Sequence, residues 1–121
     1  MKIPSLTKAE EQVMQYLWTL EKAFLKDILE LFPEPKPHTN TVSTTLKFLK
    51  DKKIVDFKIF GRQHEYFPLI PKEKYSGKTM KNLVKDYFEG SYKEAVSYLI
   101  QKEELSVEDL ELLLNEFKNN D

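Results

Sequence analysis

The sequence predicts a mainly α-helical protein with one small β-hairpin. Apolar residues recur at helical spacing along most of the 121-residue chain. Between residues 54 and 67, β-branched and aromatic residues instead form two runs around a Gly-Arg pair, the pattern of two strands joined by a tight turn. With 40% hydrophobic and 32% charged residues, the composition is typical of one or two small soluble domains.

Composition also excludes several classes of protein. A chain of 121 residues is too short for a barrel enzyme, and the absence of cysteine excludes disulfides and thiolate metal sites. No apolar run approaches the roughly 18 residues of a membrane span, and the N-terminus lacks a secretory signal, so we expect a cytoplasmic protein without membrane insertion. His38 and His64 have no partner at metal-ligand spacing, and no catalytic motif occurs. We therefore expect no metal, no cofactor and no enzymatic activity.

The first predicted helix begins at Lys8. The segment Thr7-Lys8-Ala9-Glu10 matches the capping box, in which a threonine hydroxyl and a glutamate carboxylate each accept a backbone N–H. The apolar positions of this helix are expected to form one buried stripe, with Trp18 at its side. The stripe consists of Ala9, Val13, Tyr16, Leu17 and Leu20.

Two further helices follow. A short helix spans about Leu25 to Phe32 and ends before a run of prolines, which remove amide donors. The next helix is capped in the region from His38 to Asn40 and extends to about Lys53. Its inner face carries Val42, Thr45, Leu46 and Leu49, and its opposite face carries Asn40, Ser43, Thr44, Lys47 and Asp51.

The hairpin follows the third helix directly. Its strands are predicted at Ile54–Phe60 and Gln63–Phe67, with Gly61-Arg62 as a two-residue turn that places basic charge at the tip. Three helices followed by a hairpin is the element order of a winged helix-turn-helix, which we assign to residues 1–70 as a DNA-binding domain.

Residues 71–121 predict three more amphipathic helices, which we assign to a helical dimerisation domain. Helices of about 10 to 16 residues do not cover such apolar faces by themselves, so a second copy of the chain is the expected cover. The predicted homodimer interface consists of Leu83, Tyr87, Val96, Leu99, Leu110, Leu113, Leu114 and Phe117.

The charge distribution points to an anionic partner. Residues 1–70 carry a net charge of +2 and residues 71–121 a net charge of −3, while the segment from Lys36 to Arg62 reaches +5. In a helix-turn-helix the second helix enters the major groove, where short polar side chains pair with bases and cations neutralise phosphates. Lys52 and Lys53 are among the cations that we expect to neutralise phosphates. The predicted contacts to double-stranded DNA are Thr39, Asn40, Thr41, Ser43, Thr44, Lys47, Lys50, Lys58, Arg62, Gln63 and His64.

Two other interpretations stay open. Capping and solvation explain the polar residues of the third helix equally simply. Phe48 and Phe60, near the proposed interface, fit a winged-helix module that binds another protein without sequence-specific DNA binding. An aromatic interface of that kind should tolerate the loss of Lys47 and Lys58, whereas a DNA interface should not.

Three motifs give nearly the whole chain a resemblance to the penicillinase-repressor (BlaI/MecI/CopY-type) family of winged-helix regulators. The opening resembles the family pattern S/T-x-A-E-x-x-V-M-x-x-L-W, the third helix resembles T-x-x-T followed by leucines and K-G, and the hairpin is similar to a wing that ends in Y-x-P-L. The segments that carry the resemblance are Leu6–Glu10, Val13-Met14, Leu17-Trp18, Asn40–Leu49, Lys52–Val55, Gly61-Arg62 and Tyr66–Leu69.

The resemblance implies a homodimeric repressor of palindromic operators, often built from TACA and TGTA, that binds through the third helix and the wing. It places Thr41 and Thr44 at the two motif threonines, whereas Ser43 and Phe48 stand where several members have basic residues, which leaves the operator sequence open. In antibiotic-resistance members, an upstream membrane sensor triggers proteolysis at an Asn-Phe bond. This chain has neither an Asn-Phe pair nor the cysteines of copper-responsive members, so neither mode of induction is expected.

Overall fold

The computed structural model describes residues 3–119 and is mainly helical with a small antiparallel sheet. The chain divides after Ser76 into two compact units, each described by itself below. In chain order the elements are α1 (Lys8–Leu20), β1 (Ala23–Phe24), α2 (Leu25–Leu31), α3 (Thr39–Asp51), β2 (Val55–Phe60), β3 (Gln63–Pro68), α4 (Lys72–Tyr87), α5 (Tyr92–Gln101) and α6 (Val107–Asn119).

The capping box at the start of α1 is confirmed. The Glu10 backbone N–H donates to Thr7 Oγ1 at 3.1 Å, and the Thr7 backbone N–H donates to Glu10 Oε1 at 2.8 Å. The prediction that Ala9 belongs to the buried stripe is wrong, because Ala9 is exposed and Met14 takes its place in the core. Helical geometry turns Glu10 inward instead, and this residue is 4% exposed.

The buried Glu10 carboxylate joins α1 to the end of α3. Lys52 Nζ donates to Glu10 Oε1 at 2.7 Å. Burial by itself would raise the pKa of Glu10, but the hydrogen bonds from Lys52 and Thr7, together with the Lys52 charge, hold that pKa below its usual value. The carboxylate therefore stays ionised inside the fold, and the Lys52 ammonium is bound to it.

The core of the first unit lies between the three helices and the sheet. Its buried members come from α1, α2, α3 and the strand ends, and each is at most 6% exposed. Thr45, predicted on the inner face of α3, is half-buried, and its hydroxyl donates to the Thr41 carbonyl at 2.9 Å. The core residues are Val13, Met14, Leu17, Ala23, Ile28, Val42, Leu46, Leu49, Ile54, Val55 and Ile70.

The sheet has the strand order β1-β3-β2, with both neighbouring pairs antiparallel. The predicted hairpin is confirmed: Phe60 pairs with Gln63 across the turn, and Gly61 has a φ of +62°, which favours glycine. The sequence did not reveal β1, because a strand of two residues is too short to display an alternating pattern.

The end of α3 is fixed by backbone hydrogen bonds. The helix ends at Asp51, before the predicted end at about Lys53. The Lys53 N–H donates to the Lys50 carbonyl and the Ile54 N–H donates to the Leu49 carbonyl, both at 2.9 Å. This is a Schellman motif with Lys53 at the left-handed position (φ +63°), where glycine is usually found.

The first turn of α4 belongs to the first unit. Its Tyr75 hydroxyl donates to Glu11 Oε2 at 2.7 Å, and its ring lies 5.7 Å from Trp18, whose indole N–H donates to the Ile70 carbonyl. The division therefore falls inside α4, later in the chain than the expected boundary between residues 70 and 71.

The second unit contains the rest of α4 together with α5 and α6. Ser91 caps α5 by accepting from the Glu94 N–H at 3.1 Å, and Ser106 caps α6 by accepting from the Asp109 N–H at 3.0 Å. The prediction of three helices in this region is confirmed. Val84 is buried, whereas α5 and α6 have no buried residue in a single chain.

Candidate nucleic-acid interface

The start of α3 is fixed by His38. The Asn40 backbone N–H donates to His38 Nδ1 at 3.0 Å, and the Thr41 N–H donates to the His38 carbonyl at 3.0 Å. Val42 and Leu46 then anchor the helix in the core. The cap and the buried stripe together fix which side chains of α3 face outward.

The outward face of α3 is polar and free of internal partners. Among residues 3–119, the side chains of Asn40, Ser43 and Thr44 make no hydrogen bond to the protein, and all three are exposed. Thr39, Thr41 and Lys47 are exposed as well. The face therefore presents hydroxyl, amide and ammonium groups that can pair with an external ligand.

Side chains alternate between the two faces of the wing (β2, β3 and the Gly61-Arg62 turn). His64 stacks on Phe57 with ring centroids 3.9 Å apart and planes at 2°, and Lys50 of α3 lies 5.4 Å from the same ring. This face of the wing therefore adjoins α3. Lys58 pairs with Glu65 in the register and points to the opposite face.

A groove of about 370 Å³ joins α3 to the wing. Ser43 lines it from α3, while Arg62, Gln63 and His64 line it from the turn and β3. The structure thus brings one α3 residue and three wing residues of the predicted DNA contacts into one surface. None of the residues that line this groove carries a carboxylate.

Two predicted phosphate contacts, and a third lysine of the segment from Lys36 to Arg62, have partners within the protein. Lys50 Nζ lies 3.9 Å from Asp56 Oδ1, and Lys52 is paired with Glu10. Lys36 Nζ donates to three carbonyls at the end of α2, those of Leu29, Glu30 and Phe32, at 2.8 to 3.0 Å. Lys36 and Lys52 are therefore engaged within the fold, and Asp56 partly offsets the charge of Lys50.

Lys58 is separated from the other predicted contacts. It lines a second groove of about 260 Å³ together with Glu21, Lys22 and Glu65. Two carboxylates offset the positive charge of this groove, and its face lies away from Ser43 and His64. The structure therefore does not bring Lys58 together with the predicted contacts on α3.

Lys26 is a cation of this surface that sequence reasoning missed. It is exposed on α2 and lines the same groove as Arg62 and His64. The sequence could have revealed it, because α2 is the first helix of the helix-turn-helix. That helix crosses the DNA backbone, so a lysine near its start is well placed for a phosphate.

All eight predicted dimer residues lie in the second unit, and all of them are among the residues that the structure describes. Val96 and Leu110 are half-buried, and the other predicted residues are exposed. Phe117 is 68% exposed and Tyr87 is 77% exposed. The exposed residues are Leu83, Tyr87, Leu99, Leu113, Leu114 and Phe117.

Residues 3–119 contain neither a candidate metal site nor a candidate membrane span. No group of three or more potential metal-binding side chains is found in that range. No helix there is long and apolar enough to span a bilayer.

Comparison with known proteins identifies the family. The sequence profile described as penicillinase repressor matches residues 6–119. The chain belongs to the penicillinase repressor family. This is a family of transcriptional repressors and not of enzymes, in agreement with the expectation from the sequence.

Penicillinase repressors similar to this chain include the methicillin resistance regulatory proteins MecI. Those of Staphylococcus aureus (strain N315) and Staphylococcus epidermidis are each 27% identical over 115 residues, which cover 94% of both chains. That of Mammaliicoccus sciuri is 26% identical over the same length. Among solved structures, the DNA-binding domain of the repressor BlaI matches with a TM-score of 0.54 and 28% identity, covering 61% of this chain and 92% of the other. The predicted winged-helix fold is thereby confirmed.

Proposed function

We propose that this protein is a transcriptional repressor that binds palindromic operator DNA as a homodimer. The observation that carries the proposal is the exposed polar face of α3, whose Asn40, Ser43 and Thr44 side chains have no hydrogen-bond partner among residues 3–119. Within the same range, no carboxylate lines the groove that joins this face to the wing. Its membership of the penicillinase repressor family supports the same conclusion. We place the protein in the cytoplasm, where it has access to DNA.

The chemistry of α3 suits the major groove. An asparagine can pair with adenine, a threonine can offer its hydroxyl to a phosphate or its methyl to thymine, and a lysine can donate to guanine. Asn40, Ser43 and Thr44 supply the short polar groups, and Lys47 supplies the ammonium. In this proposal Asn40, Ser43 and Thr44 choose the base sequence, while Lys26, Lys47 and Arg62 each neutralise a phosphate.

The second unit supplies the dimer contact in this proposal. A single chain leaves large apolar side chains of α4, α5 and α6 in water, including Leu112 at 64% exposure and Phe117 at 68%. A patch of this kind on a water-exposed surface is typical of a protein interface. A symmetric dimer also matches a palindromic operator, because each protomer meets one half-site about 34 Å from the other.

The direct test is selection of bound fragments from random genomic DNA, followed by mobility shifts with the selected duplex. We expect Asn40→Ala and Thr44→Ala to change which sequences are selected, because these side chains contact bases. Glu30→Ala, on the exposed surface of α2, is the matched control and should leave the selected sequences unchanged. Equal loss of affinity for every sequence in the α3 variants would contradict base recognition.

A protein-binding module is the second candidate, because three large apolar side chains lie exposed on α3 and the wing. Phe48 and Phe60 are each 53% exposed and Ile59 is 67% exposed. If these residues formed the main interface, the variant Lys47→Gln would bind its partner as well as the wild type does, and no DNA sequence would be enriched in the selection.

An upstream membrane sensor or protease rests on family resemblance alone. In this chain the stretch corresponding to the cleavage region of the antibiotic-resistance members reads Ala95-Val96-Ser97-Tyr98-Leu99-Ile100 and lies within α5. The proposal therefore includes DNA binding and dimerisation, and it does not include induction by cleavage at an Asn-Phe bond.

A further inference from the structure

His64 is a titratable side chain held in place on the proposed DNA surface. Its imidazole stacks on Phe57, and Tyr66 meets both rings edge-on at 5.5 and 6.1 Å. The side chain is exposed and lines the groove shared with Ser43 of α3. Histidine is the side chain type whose charge can change within the physiological pH range.

The charged groups that line the groove with His64 are cations, Lys26 of α2 and Arg62 of the turn. Lys50 of α3 lies beside the Phe57 ring on which the imidazole stacks, and its charge is offset by Asp56 at 3.9 Å. Burial raises the pKa of the Tyr66 hydroxyl, so this neighbour stays neutral at physiological pH.

The carboxylates of the neighbouring elements are directed elsewhere. Asp56 is paired with Lys50, and Asp27 accepts the Phe24 backbone N–H at 3.0 Å. Glu65 precedes Tyr66 on the opposite face of the wing, where it pairs with Lys58 in the register. Among residues 3–119, therefore, no carboxylate lines the groove beside Lys26 and Arg62.

We infer that DNA binding is coupled to the uptake of a proton by His64. In the free protein, the residues that line the groove carry no anionic group. In the complex, the phosphates that Lys26 and Arg62 bind lie beside the imidazole and favour the imidazolium. Because the complex then binds the proton more tightly than the free protein does, DNA affinity rises as the pH falls.

The size of the effect follows from one additional phosphate contact per protomer. At about 0.15 M salt, one neutralised phosphate increases affinity roughly fivefold. Only part of this increase falls between pH 8 and pH 6, so the expected gain over that range is about three- to fourfold per protomer. For a dimer with two such sites the gain is roughly tenfold.

The test measures dissociation constants for a duplex selected from genomic fragments, at about pH 6 and about pH 8 and at constant ionic strength. The wild type should bind roughly tenfold more tightly at the lower pH. His64→Phe keeps an aromatic ring against Phe57 but carries no proton, so its affinity should be nearly independent of pH. Calorimetry in two buffers of different ionisation enthalpy should show proton uptake by the wild type on binding.

His38→Asn is the matched control, because asparagine keeps an acceptor for the α3 cap and removes the other histidine. This variant should retain the pH dependence of the wild type. The inference is overturned if wild-type binding is independent of pH, or if His64→Phe retains the full dependence. The inference rests on the proposed function, and the two fail differently: absence of DNA binding at both pH values would reject both, whereas binding without proton uptake would reject the inference alone.

Discussion

The salt dependence of DNA binding is the quantity that the structure predicts most sharply. Three cations lie on the outward face of α3 or in the groove beside the wing: Lys26, Lys47 and Arg62. They are exposed and have no ion-pair partner among residues 3–119. A dimer would therefore neutralise about six phosphates, and the slope of log affinity against log salt should be about −5.4. Affinity should then fall by about three orders of magnitude between about 50 and 200 mM salt.

Arg62→Gln removes one of these cations from each protomer. The slope should change to about −3.6, because a dimer of this variant neutralises about four phosphates. The measurement is a series of mobility shifts or anisotropy titrations over that salt range, all at about pH 8 so that proton uptake does not vary along the series.

Lys58→Gln removes the same charge from the same hairpin and is the matched control. Because Lys58 lies on the face opposite His64, its loss should leave the slope near −5.4. The reasoning is refuted if Lys58→Gln flattens the slope as much as Arg62→Gln does, or if the wild-type slope is flatter than about −2.

Three further predictions concern stability and assembly. Lys52→Met should lower the free energy of unfolding at pH 7 by about 2 kcal/mol in chemical denaturation, because the buried Glu10 carboxylate loses its cation. Since the folded pKa of Glu10 is lowered, this contribution is present above the ordinary carboxyl pKa and is lost as the pH falls through the folded value, so wild type and variant should converge once the pH lies below the folded pKa. Lys53→Gly should raise the free energy of unfolding by about 0.5 to 1 kcal/mol, because glycine adopts the left-handed conformation without strain, and an unchanged or lower value would contradict this. Sedimentation should give about 29 kDa for the wild type, twice the 14.4 kDa of one chain, and Phe117→Asp should shift it towards the monomer; a wild-type monomer at micromolar concentration would exclude the dimer.

Features set by local sequence were predictable. The capping box at Thr7 and Glu10, the polar face of α3 and the Gly61-Arg62 turn each depend on residues a few positions apart. Such short-range patterns determine backbone geometry directly, so the helices and the hairpin could be placed before the structure was known.

Features set by tertiary contacts were not predictable. The pairing of Lys52 with Glu10 joins residues 42 positions apart, and a charge count cannot reveal that this lysine is committed to the fold. The alternation of β2 does separate Lys58 from Phe57, but which face meets α3 is decided by packing. The apolar stripe of α1 was misplaced at Ala9 because a paired glutamate can take a buried position that hydrophobic periodicity assigns to an apolar residue.

The central claim is that DNA lies against the outward face of α3 and the groove beside the wing. Nuclear magnetic resonance of the isotopically labelled protein, titrated with a duplex selected from genomic fragments, tests it residue by residue. The largest amide shifts should fall on residues 39–47 and 61–64, while Lys58 and the second groove should change little. Shifts concentrated on the opposite face of the wing, or absent from the start of α3, would contradict the account.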